Sequence, residues 1–173
     1  MISLIGLPGS GKSTVGRQLA RRLQCPFFDS DVVIEQQLGC SIREFFEREG
    51  EDRFRDIEAS VIDDLTQGQE SVLSTGGGVV LRPENRKNLR DRTQVVYLNS
   101  SPDELFRRLR HDKNRPLLQV ADPLQRLRDL YAQRDPLYRE TAHFHVDTGR
   151  PSVAALVNMI VMQLELAGVL RSH

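Results

Sequence analysis

The chain has 173 residues, enough for one domain with a sizeable core. Its 24 acidic residues cancel its 24 lysines and arginines, so no bulk basic field marks it as a nucleic-acid binder. Hydrophobic residues make up 39%, yet the longest apolar runs fall far short of the roughly 18 residues a spanning helix needs.

"ISLIG" (2–6) reads as a buried strand, and "KSTVGRQLARRLQ" (12–24) as a helix with apolar spacing at Val15, Leu19 and Leu23. "PFFDSD" (26–31) is a short strand ending in acids. Residues 31–38, 41–49 and 51–67 follow as helices, and Ser41 with Glu44 fits a capping box. "ESVLSTGGG" (70–78) is a third strand running into three glycines, and 82–91 is a polar helix. "TQVVYLNSS" (93–101) is a fourth strand, with a Pro-initiated helix over 102–112. A proline-bounded loop covers 113–123. A helix over 124–134, a last strand at 143–148 and a closing helix over 152–168 complete the chain.

Strands alternating with helices predict a mostly parallel sheet with helices on both faces. In such sheets ligands sit outside the carboxyl ends of the strands. The clusters Gly6–Ser13, Asp29–Asp31 and Gly76–Gly78 all fall there. No repeat or linker divides the chain, so 1–173 reads as a single domain. "MISLIG" shows no targeting pattern, which makes the cytoplasm the expected compartment. Cys25 and Cys40 are too few and too badly spaced for a zinc site and read as buried or semi-buried thiols. The histidines His111, His143, His145 and His173 form no base or metal arrangement.

Gly6-x-x-x-x-Gly11-Lys12-Ser13 fits the phosphate-loop pattern without a mismatch. Glycines let successive N–H groups turn inward onto phosphate oxygens, and the helix that follows adds its free amides and positive dipole end. Lys12 can reach the outer phosphates, and the Ser13 hydroxyl can face Mg²⁺. No guanine-recognition N/T-K-x-D and no LSGGQ follows. Asp29 and Asp31 offer one carboxylate for a magnesium-bound water and one for an attacking hydroxyl. A helix N-cap for 32–38, made by Ser30 or Asp31, is the plainer reading of the same residues. Arg55 and Glu58 share a helix face. The glycine triplet suggests that something approaches the backbone closely. Arg115 in the proline-bounded loop suits a lid arginine. Arg134 is expected at a helix end.

"GLPGSGKSTVGRQLA", "DSD", "GEDRFRDIE", "STGGGVV", "VVYL", "RPLL" and "RDPLYRE", in this order from Ile2 to about Leu166, resemble the shikimate kinases. That resemblance implies a three-layer α/β/α P-loop kinase fold with sheet order 2-3-1-4-5 and a mobile lid at about 112–123. The acceptor-binding helical region would span about 31–60. It implies transfer of the γ-phosphate of ATP to the 3-hydroxyl of shikimate, with Mg²⁺ as cofactor. By the family pattern Lys12, Asp31 and Arg115 are catalytic. Gly9, Ser10, Gly11, Lys12, Ser13, Thr14, Arg108, Arg115 and Arg150 meet ATP. Asp31, Arg55, Glu58, Gly76, Gly77, Gly78 and Arg134 meet shikimate, with Glu58 orienting Arg55. Ser13 binds the metal directly and Asp29 through water. The chain is expected to act as a monomer without nucleic-acid or membrane partners. Gluconate kinase and a non-catalytic nucleotide-binding module are the alternatives.

Overall fold

In the computed structural model, residues 1–110 and 120–171 are described. Five strands form one sheet: β1 (Ile2–Ile5), β2 (Phe27–Asp29), β3 (Val72–Ser74), β4 (Gln94–Asn99) and β5 (Phe144–Asp147). Their order is β2-β3-β1-β4-β5, with every pairing parallel. β1 lies at the centre, so its carboxyl end opens where the connections diverge to either side, the usual place for a ligand.

The helices are α1 (Lys12–Leu23), α2 (Ser30–Leu38), α3 (Ile42–Glu49), α4 (Glu51–Thr66), α5 (Pro83–Arg92), α6 (Pro102–Leu109), α7 (Pro123–Thr141) and α8 (Val153–Leu166). Strand alternation sorts side chains to two faces. Leu4, Val96 and Leu98 pack against Val15 and Leu19 of α1 and Ile160 and Leu164 of α8. Ile5, Val95 and Tyr97 pack on the other face against Ile62 of α4, Leu89 of α5, Leu105 of α6 and Tyr138 of α7. Ile34, Phe45, Phe54 and Val61 make a smaller core joining α2, α3 and α4. Ser3, buried on β1, is satisfied by Thr93 at 2.7 Å. No helix among the described residues is long and apolar enough to cross a membrane.

Three sequence expectations need correction. β3 is shorter than "ESVLST" suggests, spanning only Val72–Ser74 ahead of the glycines. Thr75 ends the ladder by spending its N–H and hydroxyl on the Leu4 carbonyl, and the glycines then turn into a 3₁₀ turn at Val79–Leu81. α7 does not stop near 134; it continues through Pro136 to Thr141. A proline inside a helix costs about 3 kcal/mol. Burial of Tyr138 and Thr141 beyond it offsets that cost, and Arg90 caps the end by donating to the Thr141 and Ala142 carbonyls. Finally, α2 is capped by Asp29, whose Oδ1 accepts from Asp31 and Val32 N–H, not by Ser30 or Asp31. The Ser41 cap of α3 is as expected, accepting from Glu44 N–H at 3.1 Å.

Candidate active site

β1 delivers the chain into the glycine loop, and α1 begins at Lys12. Gly9 and Gly11 have φ of +83° and +91°, where a side chain would be strained. A Cβ at Gly9 would also lie 2.6 Å from Leu109, so the loop is wrapped tightly under the end of α6. The N-cap of α1 is Gly11, which has no side chain to bond the first amides. Its first amides therefore suit an anion, which the helix dipole favours too. Lys12 is buried and curls back over the loop, its Nζ donating to the carbonyls of Gly6 at 2.7 Å and Leu7 at 3.0 Å.

Ser13 points across to β2, where its hydroxyl donates to Asp29 Oδ2 at 2.8 Å. Asp29 thus divides its two oxygens between Ser13 and the cap of α2. Asp31 sits one residue inside α2. Burial pushes its carboxyl above the usual carboxylate range, and Asp29 and Glu35 push the same way. Lys12 and Arg55 oppose the rise, so Asp31 lies within reach of both the phosphate loop and the arginine of α4.

The glycine triplet explains how these parts fit together. None of the three glycines needs a left-handed backbone. Each is small because something occupies the place of a Cβ. A Cβ at Gly76 would lie 2.8 Å from Asp31 Oδ1 and 3.3 Å from Glu58 Oε2. At Gly77 it would lie 2.6 Å from the Pro8 ring of the phosphate loop, and at Gly78 it would collide with the Arg55 guanidinium. The turn is a hub against which the loop, Asp31, Arg55 and Glu58 are all pressed.

Arg55 is held by Glu58 at 2.8 Å, with Glu51 further off at 3.4 Å, and its head lies over the Phe54 ring. Glu58 is 1% exposed, and its Oε2 has no hydrogen-bond partner among the described residues. Burial raises its pKa; Arg55 pulls it down, Asp31 raises it and Arg134 lowers it. Arg134 lies in the middle of α7, and its Nε is likewise buried without a partner among the described residues. A buried donor and a buried acceptor left open in one charged cluster fit a polar ligand with both hydroxyl and anionic groups.

Pro8, Lys12, Ser13, Asp31, Gly76 and Gly77 line a cleft of about 380 Å³. Another cleft, of about 430 Å³ between α5 and the end of α7, holds Arg86, Lys87 and Arg90 but gathers none of these groups. On the far side of the phosphate loop, Arg108 donates to the Thr148 carbonyl at 3.1 Å and lies 3.4 Å from Glu104. Glu104 also accepts from the Thr148 hydroxyl at 2.7 Å. Arg108 is therefore fixed beside the turn that carries exposed Arg150. Arg115, with most of the expected lid, lies outside the described residues, as do His111 and His173. His143 is structural, with its Nδ1 accepting from Val95 N–H.

Sequence reasoning missed Glu104 and Tyr138. The spacing Glu104–Arg108 and Arg134–Tyr138, four residues on a helix, was the available signal. The partners across the fold, Thr148 and Gly77, were not visible.

A phosphate loop on the central strand of a parallel sheet, facing a cleft that pairs carboxylates with arginines, defines a small-molecule kinase of the P-loop class. The shikimate kinase family model matches residues 8–165. The shikimate kinase of Paracidovorax citrulli is 65% identical over 171 residues, covering 97% of this chain and 93% of that protein. A shikimate kinase from Acinetobacter baumannii, solved in complex with shikimate, superposes with a TM-score of 0.91 at 46% identity, covering 98% of this chain and 94% of that one. A gluconokinase from Sinorhizobium meliloti shares the fold alone, with a TM-score of 0.60 at 20% identity, covering 99% and 97%. The chain belongs to the shikimate kinase family and is a kinase of the shikimate pathway.

Proposed function

We propose that the chain transfers the γ-phosphate of ATP to the 3-hydroxyl of shikimate, giving shikimate 3-phosphate and ADP for aromatic amino-acid biosynthesis. The observation that carries this reading is the glycine turn, which presses Asp31 and Arg55 against the mouth of the phosphate loop. It brings an anion clamp and a hydroxyl acceptor beside the place where a γ-phosphate would lie.

Amides of residues 9–14 cradle the phosphates, and Lys12 leaves the Gly6 and Leu7 carbonyls to neutralise them. Arg55 and Arg134 clamp the shikimate carboxylate through forked hydrogen bonds. Glu58 holds Arg55 in place, and the backbone of Gly76–Gly78 meets ring hydroxyls. Asp31 accepts from the attacking hydroxyl and aligns it. Phosphoryl transfer draws more on alignment and charge neutralisation than on full deprotonation. Arg108 and Arg150 flank the adenine, and Arg115 adds positive charge at the transferring phosphate.

Mg²⁺ suits the contacting pair Ser13 and Asp29, two hard oxygen ligands that leave room for waters and phosphate oxygens. When bound, it supplies neutralisation of phosphate charge. The enzyme works as a single domain, a monomer, in the cytoplasm. The test is ADP release with shikimate, gluconate and no acceptor. Turnover confined to shikimate supports the reading. Turnover with gluconate instead, or ATP binding without turnover, refutes it.

A further inference from the structure

Tyr138 is fully buried on α7, one helical turn beyond Arg134. Its ring packs on Tyr97 with centroids 4.9 Å apart. A buried tyrosine hydroxyl needs a partner, and most find one in the core. This one instead donates to the carbonyl of Gly77, in the turn that meets the acceptor cleft. Burial raises the hydroxyl pKa, and Arg134 and Arg55 pull it back down, so both guanidinium groups lie near it. At ordinary pH the hydroxyl stays neutral and acts as a donor.

Gly77 is held on its other side by Pro8 of the phosphate loop, whose ring fills the space of a Cβ. Its peptide is therefore clamped between α7 and that loop. A trans peptide plane points the carbonyl of one residue and the N–H of the next in opposite directions. Drawing the Gly77 carbonyl toward Tyr138 thus turns the Gly78 N–H away from α7. One hydroxyl sets the orientation of a turn that borders Asp31, Arg55 and the phosphate loop.

We propose that Tyr138 is a positioning residue for the acceptor: its bond to Gly77 holds the glycine turn in register with Arg134 and with the phosphate loop. This rests on the acceptor site proposed above. Tyr138→Phe keeps the buried ring in place, so losing the bond frees the Gly77 peptide without opening the core.

The test is Tyr138→Phe, which keeps the ring and removes the donor. The shikimate KM should rise about five- to tenfold, the effect of one net hydrogen bond. The ATP KM should stay within about twofold and kcat within about threefold. Tyr97→Phe is the matched control. It removes a hydroxyl from the same aromatic pair, one that donates to Asp135 at 2.8 Å, and should lower Tm similarly while leaving the shikimate KM unchanged. An unchanged shikimate KM in Tyr138→Phe overturns the proposal. So does an equal rise in Tyr97→Phe, or a parallel rise in both substrate constants. Should the Phe variant not fold, 3-fluorotyrosine at position 138 alters donor strength without removing it, and an unmoved shikimate KM there overturns the proposal equally. A wild-type protein inactive on shikimate sinks the acceptor reading and this inference together; an active wild type with an unresponsive Tyr138→Phe sinks this inference alone.

Discussion

Replacing Gly78 with alanine tests the acceptor clamp with one added methyl group. The Gly78 backbone has φ of −94°, a value any residue adopts, so the substitution does not strain the chain itself. Alanine even restricts the unfolded state, a gain of about 0.4–1 kcal/mol. The obstacle is Arg55: the new Cβ would lie 2.5 Å from Nη1 and 2.6 Å from Cζ, against about 3.5–4.0 Å for a relaxed contact. The guanidinium must retreat by about 1 Å. That movement stretches the 2.8 Å bond to Glu58 beyond hydrogen-bonding range or swings the head away from the cleft. A charge-assisted hydrogen bond to the acceptor carboxylate is worth about 1.5–3 kcal/mol, so the shikimate KM should rise roughly 10- to 150-fold. Steady-state ADP release at saturating ATP measures it, with Tm as the control for folding. A Gly78→Ala protein with wild-type shikimate KM and unchanged Tm would refute the role given to Arg55.

Lys12→Met should abolish detectable turnover while leaving the fold intact by circular dichroism; retained activity would contradict its phosphate role. Arg134→Lys should raise the shikimate KM by about tenfold or more and the ATP KM little, because a point charge lacks the guanidinium fork; equal effects on both constants would count against a carboxylate clamp. Asp31→Asn should lose activity but gain thermal stability at neutral pH. The raised Asp31 pKa means that its favourable contribution to folding exists below the ordinary carboxylate value and is lost as pH rises through the folded one. The variant's Tm advantage should therefore shrink as the pH is lowered toward about 4, and a gap independent of pH would count against the burial effect. For the same reason the acid limb of wild-type kcat/KM should fall at a pH above the usual range for aspartate.

What the sequence disclosed was what is local. The phosphate loop is contiguous, and its glycines and lysine act within nine residues of one another, so spacing alone reveals it. Strand and helix order followed from apolar periodicity, and the parallel sheet from their alternation. The errors came where a distant contact overrode a local preference. Pro136 argues for a helix end, yet α7 continues because Tyr138 and Thr141 are buried beyond it. One error was itself local: Ser30 and Asp31 are good capping residues, yet Asp29 caps α2 because strand β2 leaves its carboxylate beside those amides. "ESVLST" looks like strand throughout, yet pairing with β1 ends at Ser74. The arginines, and Glu58 beside Arg55, could be named from the family resemblance, but the partners of Arg108 and Tyr138 could not. Thr148 under Arg108 and Gly77 under Tyr138 lie 40 and 61 residues away in the chain.

The most direct test of phosphate transfer from loop to acceptor is ³¹P NMR of a reaction containing ATP, Mg²⁺ and shikimate. A single new phosphomonoester coupled to the proton at C3, formed in step with ADP, is the expected product. Inorganic phosphate alone, or an ester at another hydroxyl, would contradict the alignment assigned to Asp31, Arg55 and Arg134.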